Sequence, residues 1–199
     1  MTIRRGAPWG VRGPCPGDLA WWPHDAAAAR AARGGAAHLA IRRSGVGASV
    51  GVSGAVAAPE MLATPWDLLR LVLHDGTQVR EVAVLGRAWV VPRALRGDAW
   101  ILGVTSPVGD LDLHPRAHPN DGLLDVLAVD AAMPVRDRIR ALGRARRGDH
   151  LPHPALRATR GPRWSSPDGR WLVWADGRWA GRATRVDATL QQDATTLHW

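Results

Sequence analysis

The chain has 199 residues and a mass of 21.4 kDa, long enough to bury a core without disulfide or metal staples. All 26 cations are arginine against 18 acidic side chains, giving a formal charge of +8 and a pI near 11.5; Lys, Tyr and Phe are absent and 11 Trp are present. Without lysine there is no Walker-type phosphate loop, no pyridoxal Schiff base and no lysine nucleophile, and without tyrosine no phenolic general acid. The missing residue types are those with AT-rich codons, so codon bias accounts for much of the arginine surplus and the charge alone is weak support for an anionic partner. Glutamate is reduced to Glu60 and Glu81.

The opening MTIRRGAPWG has charge but no apolar core behind it, which argues against a signal peptide. Cys15 is the one cysteine, and a lone thiol fits a reducing compartment. Residues 1–62 read as a small α/β extension: a strand over Leu19 to Trp22, a helix from Asp25 to Arg33 with Asp25 as its cap and Gly34-Gly35 ending it, and a strand from His38 to Ile41. Gly45 to Gly54 reads as a loop or a packed Gly/Val strand rather than a phosphate cradle. The uncharged run from Ser44 to Pro59 is shorter than the about 20 strongly apolar residues that a bilayer requires. A cytoplasmic protein, peripheral at the membrane, is expected.

After Pro65 short strands alternate with turns, the texture of a mainly β domain over 63–199. Leu68 to His74 enters a hairpin at Asp75-Gly76 and returns over Gln78 to Leu85. Asp98 to Thr105 and Leu123 to Val129 read as buried strands. Trp171 to Ala175 enters a second hairpin at Asp176-Gly177, and Thr184 to Leu190 and Ala194 to Trp199 close the chain.

One helix interrupts the strands. Pro134 suits its first position, Val135, Ile139 and Leu142 recur at i, i+4 and i+7 as an apolar stripe, and Gly148 stops it. The other face carries Arg136, Arg138, Arg140, Arg144, Arg146 and Arg147 against Asp137 alone. This reads as a solvated face with dipole-satisfying cations at its end, or as a contact for phosphate or an anionic membrane.

The informative stretch runs from Gly109 to Val126. Pro119-Asn120-Asp121-Gly122 turns the chain into an apolar strand and places a carboxylate beside turned backbone carbonyls, a donor mixture that suits Mg²⁺ or Ca²⁺. His114-Pro115-Arg116-Ala117-His118-Pro119-Asn120-Asp121-Gly122-Leu123-Leu124-Asp125-Val126 resembles the "P-x-A-x-x-x-D-G-L-L-D-V" signature in the C-terminal domain of bacterial diacylglycerol kinase-like soluble lipid kinases. The basic helix, Gly148 to Pro154 and the Asp176-Gly177 hairpin continue the likeness over about 65–199. The resemblance implies a β-sandwich-like lipid kinase C-terminal domain with one basic helix; with the small N-terminal βαβ extension read above, the expected fold is α+β, mainly β. The resemblance also implies a structural divalent site held by Asp121 and the carbonyls of His118 and Leu123.

Two departures from that family limit the chemistry. The Gly-Gly-Asp-Gly-Thr nucleotide loop is missing, so ATP is not expected without a separate nucleotide-binding chain. Where the family has an Asp-Gly-Glu whose Glu resembles the base for the lipid hydroxyl, this chain has Asp176-Gly177-Arg178, and an arginine cannot accept a proton at neutral pH. No catalytic residue is assigned. A lipid-binding or regulatory module, a pseudokinase in character, follows, with Arg178, Arg144, Arg146 and Arg147 as candidate contacts for the head group of a phospholipid or diacylglycerol-like lipid. One half of a split ATP-dependent lipid kinase is the alternative.

His114 and His118 lose their helical i, i+4 meaning because Pro115 and Pro119 interrupt them, and Asp149, His150 and His153 are likewise proline-interrupted, so zinc is not favoured. Trp164, Trp171, Trp174, Trp179 and Trp199 among arginines point to core filling, with a basic nucleic-acid binder as the reading from another class.

Overall fold

In a computed structural model, residues 10–41, 45–46, 59–94, 96–106, 108 and 110–199 are described. The Gly-rich run from Gly45 to Gly54 lies outside them except for Gly45 and Val46. Alternation along β4 (Glu60–Asp75) builds the first layers: Leu69, Leu71 and Leu73 face one side, while Trp66 and Leu68 face the other. The strand is longer than the expected Leu68 to His74 and runs through Pro65. It turns through Gly76-Thr77 into β5 (Gln78–Val84), with Asp75 opposite Gln78.

β4 belongs to a seven-stranded sheet with β1 (Val11–Pro14), β2 (Ala20–Trp22), β3 (His38–Ile41), β5, β10 (Arg163–Ser165) and β13 (Arg185–His198). The second sheet is ordered β12-β11-β6-β7-β8-β9, with β6 (Arg87–Pro92), β7 (Ala99–Gly103), β8 (Leu124–Val129), β9 (Leu156–Gly161), β11 (Trp171–Ala175) and β12 (Arg178–Ala183). The inner faces pack Leu71 and Leu73 against Val90, Leu102, Val126 and Val173. The mainly β, sandwich-like class expected from the sequence therefore holds.

The strand-helix-strand reading of the first segment also holds, since β2 and β3 pair in parallel on either side of α1 (Asp25–Arg33). β3 then pairs in parallel with β13, which joins this unit to the main sheet, and α1 covers the outer side of Leu39, Leu68 and Leu85. His24, not Asp25, caps the helix, its Nδ1 accepting from the Ala27 amide; Asp25 is the first helical residue and accepts the Val46 amide. The two closing strands expected at the C-terminus are one strand, β13, whose register against β4 shifts between Gln191 and Thr195. β1, β9 and β10 had no clear signal in the sequence because each is short or arginine-interrupted, and β6, with Trp89-Val90-Val91 at its centre, was not expected.

His114 sits under β7, its Nε2 3.1 Å from the Ile101 carbonyl to which the neutral ring donates; burial pushes its pKa down to about 4. Gly103 makes room for it, since a Cβ there would lie 2.6 Å from His114 Nδ1. Gly103→Ala is expected to cost about 1–3 kcal/mol through this overlap, read as a lowered thermal midpoint; an unchanged midpoint would show that the imidazole is free to move aside.

Candidate functional site

The outer face of the second sheet carries Trp89, Ile101, Leu127, Val129 and Leu156, and α2 (Val135–Ala145) lies across it. Pro134 is the N-cap of this helix, one position before that expected, and Gly148 adopts the positive φ of 70° that follows it. The burial of the helix differs from the pattern in its sequence. Val135, Ile139 and Leu142 are 60, 65 and 38% exposed, whereas Ala145 is buried and Ala141 and Arg138 turn toward the sheet. Arg138 stays there because the surrounding carbonyls satisfy it: its guanidinium donates to Met133 at 3.0 Å, Gly97 at 2.8 Å and Asp130 at 2.9 Å.

Small residues on the buried side of α2 leave space beneath it. A cavity of about 200 Å³ lies between helix and sheet, walled by Ile101, Leu127, Val129, Met133 and Ala141. Leu113 and Leu156 separate it from a second, mixed cavity that is bordered by Arg116, Asp125, Gly148, His153 and Arg160. Two neighbouring cavities with Leu113 and Leu156 in their shared wall thus offer an apolar space beside one bordered by cations, the pair of environments that an amphiphile requires.

The polar end is built by the signature turn. Asp67, buried in the middle of β4, accepts the Gly122 amide at 2.9 Å and the Asp193 amide at 3.0 Å, and its own amide donates to the Pro119 carbonyl at 2.7 Å. It thereby ties the turn to the irregular part of β13, and burial raises its pKa against those two hydrogen bonds. Gly122 has a φ of 72° and lies against the Gln192 side chain, so a larger residue would be strained at the bend and would push the Gln192 amide aside.

Asp121 closes the turn on itself through Leu123, whose amide donates to Oδ1 at 3.0 Å, while Oδ2 pairs with Arg160 Nη2. Arg160 Nε reaches Asp125 at 3.0 Å, so one guanidinium bridges two carboxylates. Burial pushes the Asp125 carboxyl up to about 6, with Arg160 opposing the rise. These residues do not fit the divalent ion expected at Asp121 and the carbonyls of His118 and Leu123. Both carboxylate oxygens already have donors, and the cation between the acids is an arginine. His118 accepts the Asn120 amide at 3.3 Å. Among the described residues no group of three or more His, Cys, Asp or Glu is arranged to hold a metal.

Arg144, Arg146 and Arg147 are gathered at the end of α2, next to Gly148 and the polar cavity. Arg146 pairs with Asp110 at 3.1 Å and Arg147 with Asp149 at 3.0 Å, exposed pairs that contribute little to stability. Arg178 is not with them: it is exposed on β12, at the edge of the sheet opposite β9. The preceding Asp176 faces inward and accepts the amides of Leu85, Gly86 and Arg87 at 2.9, 2.9 and 3.0 Å. Its burial pushes its pKa up to about 7. Trp171 fills the core and Trp100 packs edge-on against it at 5.0 Å, whereas Trp179 is exposed against Trp174. His150 donates toward the Leu113 carbonyl at 3.1 Å inside the cleft wall.

The sequence marked Asp121 and the helix arginines but not Asp67, Arg160 or the cleft itself. A lone Asp within the apolar run Trp66 to Leu73 was the one available signal for Asp67.

Residues 101–192 match the model of the YegS C-terminal NAD kinase beta sandwich-like domain. No curated protein matches the sequence. Among solved structures, a diacylglycerol kinase from Bacillus anthracis str. Sterne is 13% identical with a TM-score of 0.46, over 80% of this chain and 67% of its own. Two structures of a candidate diacylglycerol kinase from the same organism are each 12% identical with a TM-score of 0.38, over 65 and 67% of this chain and 39 and 40% of theirs. The chain therefore spans about two fifths of the length of those two proteins. The matched residues take in α2, β8 and β9 and most of β7, and over them this chain is similar to that domain.

Proposed function

We propose that this protein binds a phospholipid or diacylglycerol-like lipid without phosphorylating it. The observation that carries the reading is the apolar cavity under α2 with a mixed cavity bordered by Arg116 and Arg160 beside it. An acyl chain occupies the cavity walled by Ile101, Leu127 and Met133, and an anionic head group meets Arg116 and Arg160, with Arg144, Arg146 and Arg147 nearby. The likeness to diacylglycerol kinases supports a lipid as the ligand class. Arg178 supplies no base, and Asp176 is committed to three backbone amides, so neither residue of that hairpin activates a hydroxyl.

Native mass spectrometry of the purified protein tests this. A retained lipid is expected in the wild type, and Ala141→Trp, which fills the apolar cavity, is expected to remove it at least tenfold with the fold intact by circular dichroism. No lipid in the wild type, or equal retention in the variant, refutes the cleft as the binding site. ATP-dependent phosphorylation of diacylglycerol by this chain alone would refute the non-catalytic part.

A further inference from the structure

Among the described residues the exposed side of α2 has no partner, although it is the most apolar part of that helix. Val135 and Ile139 lie one turn apart and Leu142 follows, all exposed, while the helix spends Ala141, Ala145 and Arg138 on the sheet. An apolar stripe turned outward is unfavourable in water unless something covers it. The charges beside it indicate what does. Arg136, Arg140 and Arg144 are exposed on the same helix, and Arg146 and Arg147 extend the run; the acidic groups that answer them are Asp137, Asp110 and Asp149. A strip of three apolar side chains flanked by this excess of cations has the composition of a helix lying in the head-group layer of an anionic bilayer. Leu142 and Ala141 also line the apolar cavity, so the helix that would touch the bilayer forms its wall.

We infer that α2 docks this protein on an anionic membrane surface, with Val135, Ile139 and Leu142 entering the interface and Arg136, Arg140 and Arg144 meeting lipid phosphates. The inference rests on the lipid-binding reading for the use of the contact; Val135 and Ile139 lie off the cavity lining, while Leu142 borders both.

Co-sedimentation with vesicles tests it. The wild type is expected to bind vesicles containing phosphatidylglycerol at least tenfold more tightly than vesicles of phosphatidylcholine alone, with affinity falling as salt rises. Ile139→Asp is expected to weaken binding at least tenfold at an unchanged thermal midpoint, because the side chain is 65% exposed. Val135→Ser with Leu142→Ser provides a milder second variant with the same expected direction. Ala141→Trp should bind vesicles like the wild type, so loss of retained lipid with preserved docking separates the two sites. Equal binding by Ile139→Asp and wild type, or no preference for the anionic vesicles, overturns the inference. So does self-association without vesicles that Ile139→Asp abolishes, which would assign the stripe to a second copy of the chain.

Discussion

Asp176→Ala is expected to lose roughly 3–6 kcal/mol of stability, because three enclosed amides lose their acceptor at about 1–3 kcal/mol each. The amides belong to Leu85, Gly86 and Arg87, where the chain passes from β5 in one sheet to β6 in the other. Every other backbone group of that corner is already satisfied: the Leu85 carbonyl accepts Trp66 Nε1 at 2.9 Å, that of Gly86 accepts the Val104 amide at 3.1 Å, and that of Arg87 accepts the Asp176 amide at 2.8 Å. No spare donor or acceptor remains to rearrange, so the thermal midpoint should fall by roughly 10 °C or more. Asp176→Asn, which keeps one carbonyl oxygen for Gly86 and Arg87, should lose less.

The same residue sets a pH dependence. Its carboxyl is raised from the ordinary carboxylate range to about 7, so between about pH 4 and 7 the folded state holds a proton that the unfolded chain has released. Asp176 therefore contributes stability that diminishes as the pH rises through that window, and the gap between wild type and Asp176→Ala should narrow from pH 5 to pH 8. Thermal unfolding at the two pH values measures it; a gap unchanged between pH 5 and pH 8 would show that Asp176 is ionised in the fold throughout.

The second large effect is at Arg160. Arg160→Met removes the cation between Asp121 and Asp125 while keeping an unbranched apolar stem, and it leaves the buried Asp125 carboxylate without its partner. Breaking one side of a fully buried pair costs about 3–5 kcal/mol; because Arg160 is exposed to water and only Asp125 is buried, the loss here should be roughly 1–3 kcal/mol. Asp125 already has a carboxyl raised to about 6, and without Arg160 it rises further, so the variant escapes part of the cost by protonation. The destabilisation should accordingly be larger at pH 8 than at pH 5 by chemical denaturation. Equal losses at both would assign the effect to packing. Arg160 also borders the polar cavity, so the variant should weaken head-group binding in addition.

These two sites show where sequence reading reached and where it stopped. Asp176-Gly177 and Asp121-Gly122 were legible as turns because turn chemistry is written in two to four consecutive residues. That Asp176 holds residues 85–87 was not legible, because its partners lie 89 to 91 positions away. Asp121 suggested a metal because its neighbours along the chain are acceptors; Arg160, 39 positions on, supplies the charge instead.

The sequence by itself determined the N-terminal βαβ unit, the mainly β character, the signature bend at Gly122 and the start of α2 within a residue, all set by local periodicity, proline and glycine. Only the tertiary structure decided which side of α2 is buried. The i, i+4, i+7 rule places apolar residues on one stripe but cannot say that the sheet beneath has room for alanines and carbonyls for Arg138, and that close fit turns Val135, Ile139 and Leu142 outward.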